Sequence, residues 1–160
     1  MSAPPINPRA ARSEGETPAD PVVAPLGSIV VGQALPERSF TPTIAELFLY
    51  SAIIWNAHRI HYDLAYTRES EGYPGLLITG PLQGDWLCQC VTDWAGAEGV
   101  LERFVFTHRQ GAYLGDTLTT GGRVTACDPA GGQVTLSLHI HNQRGEVVTP
   151  GEALVRFPVP

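Results

Sequence analysis

Two stretches of the chain repeat apolar residues at helical spacing, and a third alternates them strictly. In the first, Ile44, Leu47, Phe48, the small Ser51, Ile54 and Trp55 recur every three or four positions, the period of one helix face. Thr43 and Glu46 stand ahead of them in a T-x-x-E pattern, which closes the first turn of a helix by reciprocal capping. A helix over about residues 44–56 is predicted. The second opens at Thr79-Gly80-Pro81-Leu82, where proline sits at a first helical position. Leu82, Trp86, Leu87, Cys90, Val91 and Trp94 then share one broad face, and Gly96 and Gly99 end the run. A helix apolar over so much of its surface is predicted to be buried at the centre. The third lies near the C-terminus: Val134, Leu136, Leu138 and Ile140 alternate with Thr135, Ser137, His139 and His141, the signature of a half-buried strand.

Turn residues divide the rest. Residues 28–40 carry Ile29-Val30-Val31, Gly32 and Pro36 and are expected to form an irregular edge strand or extended arm. The polar stretch from Tyr62 to Tyr73 is expected to be irregular, and Leu76-Leu77-Ile78 to be a short strand or approach segment. Strands are predicted over Val100–His108, over residues 117–127 with a break at Gly121-Gly122, and from Val147 to Phe157. Asp128-Pro129-Ala130-Gly131-Gly132 and Gln143-Arg144-Gly145-Glu146 are the turns between them. One central helix followed by an antiparallel sheet able to wrap it is an α+β arrangement. Residues 1 to about 25 hold six of the fourteen prolines and are expected to be a disordered tail. Residues 26–160 are expected to form a single domain.

Composition narrows the function classes. A formal charge of −6 argues against bulk attraction to nucleic acid. Every one of the ten basic residues is Arg, so an anionic ligand depends on local Arg placement. Three cysteines, Cys88, Cys90 and Cys127, do not make a disulfide framework, and a reducing, cytoplasmic setting is expected. No apolar run is long enough to span a membrane, and no signal-peptide pattern opens the chain.

The densest chemistry lies in Asn56-Ala57-His58-Arg59-Ile60-His61-Tyr62-Asp63. His and Arg also suit a helix C-terminus on dipole grounds alone. His139 and His141 form an H-x-H pair on one strand face, but no carboxylate or cysteine near them in the chain completes a metal set. A solvated strand face is the favoured reading, and no metal is expected. Cys88 and Cys90 are two apart on a helix and do not face each other. At Thr79-Gly80-Pro81 the first amides of a helix lack intrahelical partners. Proline has no N–H, so the donors there are the amides of Gly80 and Leu82, and glycine lets a ligand approach them.

Together these segments resemble the MaoC-like, hot-dog-fold hydratases and dehydratases of acyl-CoA thioesters, over roughly residues 28–157. The family motif is D-x-N-P-x-H. Here Asn56 stands at its Asp, His58 at its Asn, Arg59 at its Pro and His61 at its His. Tyr50-Ser51-Ala52, the run from Asn56 to Asp63, Glu71-Gly72-Tyr73-Pro74-Gly75-Leu76 and Gly80-Pro81-Leu82 are similar to the branch containing 3-methylfumaryl-CoA (mesaconyl-C4-CoA) hydratases. That branch commonly has His where Thr79 stands.

The resemblance implies a long helix wrapped by a curved antiparallel sheet and reversible hydration of an enoyl thioester without a cofactor. It implies His61 as general acid and base, Asn56 positioning water, and the Gly80 amide stabilising the enolate-like oxygen. An amide holds water but cannot take its proton, which leaves the proton transfer to His61. His58, Arg59, Tyr62, Arg68, Thr79 and Leu82 are the implied substrate-binding residues. Arg59 or Arg68 either holds a second carboxylate of the acyl group or pairs with Asp63, Glu69 or Glu71. The substrate carrier is CoA or an acyl carrier protein, and the partner a second hot dog, in a homodimer or a heterodimer. Two competing readings are a thioesterase using Asp85 or Asp93, and a non-catalytic partner subunit.

Overall fold

A computed structural model describes residues 25–159. The proline-rich segment expected to be a tail lies outside the described residues, apart from its last position. Three helices and five strands follow in order: β1 (Arg38–Phe40), α1 (Ile44–Ile53), α2 (Leu64–Glu69), α3 (Gly80–Ala95), β2 (Val100–Phe106), β3 (Leu118–Asp128), β4 (Gln133–His141) and β5 (Val147–Arg156). A short 3-10 turn, Arg59–His61, lies between α1 and α2.

The strands form one antiparallel sheet in the order β1-β3-β4-β5-β2. Its inner face carries the alternation read in the sequence. Val134, Leu136, Leu138 and Ile140 of β4 are buried, as are Leu118 and Val124 of β3 and Val148, Ala153 and Val155 of β5. α3 lies against this face and buries Trp86, Leu87, Cys90, Val91 and Ala95. Burying a side chain such as Leu87 or Val91 fully is worth about 1.5–3 kcal/mol. Gly84 lets the helix come close to β2: a Cβ there would stand 2.5 Å from the Phe106 ring. Phe40 stacks on Trp86 at 4.5 Å and 7°, tying β1 to the same helix. Gly96 ends α3 at φ 61, a conformation that favours glycine.

Three expectations need correction. The predicted first helix ends at Ile53 rather than 56, because Trp55 takes a positive φ of 56° that interrupts the helical backbone. Its capping box forms as predicted, Thr43 N–H donating to Glu46 Oε2 and Glu46 N–H to Thr43 Oγ1. Yet only Leu47 and Ser51 of this helix are buried. Phe48, Leu49 and Ile53 are exposed, and Trp55 is 94% exposed.

The polar stretch after Tyr62 is not wholly irregular: it contains α2. Asp63 caps that helix, accepting from the Tyr66 amide at 3.0 Å. Only Thr67 of α2 is buried, so the helix rests on its cap and carries no apolar stripe. Finally, Gly121-Gly122 does not break β3, which runs unbroken across both. The glycines are pressed between strands instead. A Cβ on Gly122 would stand 2.6 Å from the Ser137 carbonyl, and the irregularity falls between Val124 and Ala126.

Candidate active site

The eight-residue cluster splits into an inward and an outward part. Asn56 Oδ1 accepts from the His58 amide at 3.1 Å, and His58 caps the 3-10 turn by accepting from the Ile60 amide. That turn is stitched to the Leu76–Ile78 segment: the Leu77 amide donates to Ile60 O at 3.0 Å. The stitch drives His61 inward, leaving it 7% exposed. Its Nδ1 lies 2.9 Å from Leu77 O. A carbonyl can only accept, so Nδ1 carries the proton and Nε2 keeps a free lone pair. Burial is the main cause holding the His61 imidazole below its ordinary pKa, and His58 adds to it, while the bond to Leu77 O opposes it. His61 is therefore neutral at neutral pH.

His61 faces a cleft of about 380 Å³. Gly80, Gln83, His108, Arg109, Tyr73 and Leu77 share that cleft with it. Gly80 is the first residue of α3, capped by Thr79 without a side-chain bond. The early amides of the helix, with their positive dipole end, thus open toward the same space. Thr79 is fully buried and its hydroxyl meets no hydrogen-bond partner among the described residues.

The opposite wall is a relay that sequence reasoning missed, running from the buried Gln83 and Thr149 to the more exposed ring of His108. Gln83 Nε2 donates to Ile78 O at 3.1 Å. Thr149 Oγ1 donates to Gln83 Oε1 at 2.7 Å and stands 3.1 Å from His108 Nδ1. With the Thr149 proton committed to Gln83, His108 Nδ1 is the donor to Thr149. His108 Nε2 then lies over Gly80, where a Cβ would come within 2.5 Å of it. Burial also holds the His108 imidazole below its ordinary pKa. In the sequence His108 is merely the residue closing a strand; the pairing of the following segment with β5, through Thr107 N–H to Pro150 O and Arg109 N–H to Val148 O, carries it into the cleft.

The remaining predicted residues lie outside this cleft. Arg59 donates to Asp63 at 2.7 Å and lies 4.2 Å over the Tyr66 ring, so its guanidinium serves the α2 cap. The Tyr66 amide, and then Arg59, hold the Asp63 carboxyl below its usual range. Arg68 donates to Pro74 O at 3.1 Å and lines a separate recess with Leu64 and Tyr113. Tyr62 bonds Ala57 O at 2.8 Å and meets Phe48 edge-on. Leu82 lines a groove between β1 and α1 with Phe40, Leu49, Ile53 and Trp86. Of the two carboxylates available to a thioesterase reading, Asp85 accepts from the Tyr50 hydroxyl at 2.5 Å and Asp93 pairs with Arg38 at 2.7 Å. Among the described residues, no carboxylate lines the His61 cleft.

One absence inferred from the sequence is also corrected. His139 and His141 do have a carboxylate beside them. Glu37, about a hundred residues earlier in the chain, lies with both in space.

The family model for hydroxyacyl-thioester dehydratase type 2 matches residues 28–114, more than half of the chain. The chain belongs to that family. It is 53% identical over 45 residues to mesaconyl-C(4)-CoA hydratase of Chloroflexus aurantiacus, a match covering 28% of this chain and 16% of that protein. The matched part is thus about a sixth of the relative's length. Among solved structures, the (R)-hydratase from A. caviae involved in PHA biosynthesis superposes with a TM-score of 0.73 at 23% identity, covering 82% of this chain and 98% of that one. A chain of the ChsH1-ChsH2 complex of Mycobacterium tuberculosis gives 0.72 at 21% identity, covering 81% of this chain and 98% of that one. These two likenesses establish the hot-dog fold: a central helix, here α3, wrapped by a five-stranded antiparallel sheet.

Proposed function

We propose that this chain catalyses reversible hydration of an α,β-unsaturated acyl thioester, with His61 as the proton-transfer group. The observation that carries the proposal is the convergence of His61 Nε2, freed by the bond from Nδ1 to Leu77 O, and the Gly80 end of α3 on one cleft. In hydration, Nε2 takes a proton from water as the water oxygen bonds the β-carbon. The π electrons move to the thioester oxygen, and the Gly80 amide stabilises the resulting enolate. The enolate then collapses, and its α-carbon takes the proton back from the His61 imidazolium. In the reverse direction His61 removes the α-proton and delivers it to the departing hydroxyl. Asn56 bonds the His58 amide. In this reading it orients the turn that carries His61 and, in a closed assembly, the attacking water.

The acyl group follows from the guanidinium within reach. Arg59 is occupied by Asp63 and Arg68 lies in another recess, whereas Arg109 lines the cleft itself. A dicarboxylic acyl group, as in mesaconyl-C(4)-CoA, would set its second carboxylate against Arg109. The second hot dog is met at two unpartnered surfaces. Among the described residues β2 pairs only with β5, leaving Val100, Val105 and Phe106 on an exposed edge open to another strand. The apolar face of α1 is the other surface. The ChsH1-ChsH2 structure is a complex, and an assembly with a second hot dog suits this chain.

The test is loss of the conjugated-thioester absorbance with crotonyl-CoA and 3-methylfumaryl-CoA. Turnover of the diacid ester that fails with Arg109→Ala supports the full proposal. Turnover of crotonyl-CoA alone retains the hydratase and removes the diacid. No turnover of either by the folded, assembled protein overturns the proposal.

A further inference from the structure

The outer face of the sheet holds a set of ligating groups that the hydratase reading leaves unused. β4 turns Leu138 and Ile140 into the core, so His139 and His141 lie on the face turned away from α3. Their rings stack at 5.7 Å and 22°. The arm ahead of β1 runs along β3 on its far side. Leu35 N–H donates to Gly122 O, Ala34 bridges Arg123, and Arg38 pairs with Thr120. That register sets Glu37 beside Gly121, and Gly121 pairs with His139 on its other side. Glu37 and His139 therefore reach toward each other over a residue without a side chain. A Cβ on Gly121 would stand 3.1 Å from His139 Nε2 and 3.2 Å from Glu37 Cγ.

One ligand atom from each of Glu37, His139 and His141 lies within 4.8 Å of the other two. We propose that these three residues bind a divalent transition-metal ion, represented here by zinc, which pins the arm preceding β1 to the middle strands of the sheet. Two imidazoles and a carboxylate form a zinc donor set. Zinc bonds of about 2.0–2.2 Å in a tetrahedral site separate ligand atoms by roughly 3.4 Å, a contraction that the exposed Glu37 side chain can supply by rotation. His141 is already oriented for the task. Its Nδ1 stands 3.1 Å from Asn142 O, which commits the proton there and leaves Nε2 as the ligand. Asn142 is itself buried and donates to Glu146 at 2.8 Å. Arg123 acts on His139 by its charge and opposes a bound cation, and Glu37 acts in the other direction. The gain falls on a weak point of the fold, since β1 has three residues and, among the described residues, pairs only with β3.

The experiment uses untagged full-length protein, freed of metal with chelator and titrated with zinc chloride against a chromogenic competitor. Cobalt absorption serves as a second readout. One zinc per chain is expected, with cobalt bands typical of imidazole and carboxylate ligands and a rise in melting temperature on loading. Glu37→Gln, His139→Gln and His141→Gln should each weaken binding by at least about tenfold, the lower end for disturbing a metal site's supporting groups. Gly121→Ala keeps all three ligands and should also weaken it by crowding His139 and Glu37. Circular dichroism of each variant confirms the fold, and loss of the zinc-induced melting shift separates lost binding from lost stability. Absence of stoichiometric binding by the wild-type chain overturns the proposal. So does binding unchanged in the folded His139→Gln/His141→Gln double variant, or a cobalt spectrum dominated by thiolate charge transfer.

Discussion

Two walls of one cleft each present an imidazole, and they are built in opposite ways. His61 sits on a three-residue 3-10 turn and is fixed by a single backbone carbonyl, Leu77 O. His108 is fixed by a side-chain relay, Thr149 to Gln83 to Ile78 O, that runs through the buried Gln83 in the first turn of α3. In both, Nδ1 is the tied donor and Nε2 is free. The difference is in what Nε2 meets. His61 Nε2 faces the cleft, whereas His108 Nε2 lies against Gly80. The first arrangement suits a proton carrier, whose lone pair must reach water. The second suits a group that positions the helix end and shields its amides. A tied Nδ1 therefore does not by itself distinguish a catalytic imidazole from a positioning one.

Substitutions can break this contrast, beginning with the largest effect. His61→Ala should lower kcat for hydration by about 10²–10⁴-fold, the usual worth of general acid–base catalysis, with the circular dichroism spectrum unchanged. Gly80→Ala should follow at about 10²-fold, because its Cβ would stand 2.5 Å from His108 Nε2 and would displace either the ring or the amide. The signature is a fall in kcat with little change in thermal stability. Thr149→Val should act mainly on stability. It leaves Oε1 of the buried Gln83 without its donor, and an unsatisfied buried polar group costs about 1–3 kcal/mol, read as a lower urea midpoint.

Acid sharpens the contrast less strongly. Both imidazoles have folded-state pKa values below the ordinary 6.5, so the unfolded chain binds more protons as pH falls through that value. The stabilisation these two groups contribute is present above about 6.5 and is lost below it, toward their folded-state pKa values. Melting temperature should drop between neutral pH and the acid side of that window, by less in His108→Ala than in the wild type.

Much of this was legible in the sequence where local rules and tertiary packing agree. The Thr43–Glu46 box, the start of α3 at Gly80-Pro81 and the alternation in β4 all appear in the structure. α2 was not legible, because a helix held by Asp63 with only Thr67 buried has no hydrophobic period. The end of α1 was misplaced because its apolar residues keep helical spacing after the backbone has left the helix at Trp55. Their exposure shows that the pattern recorded something other than this chain's own core. At the site, the inward turn of His61 depends on a bond to a residue sixteen positions away. His108 and Glu37 reach their neighbours only through strand pairing. Periodicity carries no information about which residue lies across a sheet.

The assignment of roles to the two imidazoles is tested most directly by the pH dependence of kcat/KM for hydration, in the wild type and in His108→Ala. In the proposed mechanism the neutral form of His61 is the base, so the rate should fall as pH is lowered, through an inflection below the ordinary imidazole value of 6.5. That inflection should persist in His108→Ala. An inflection that disappears with His108→Ala, together with a His61→Ala variant that keeps its rate, would contradict the account and make His108 the base.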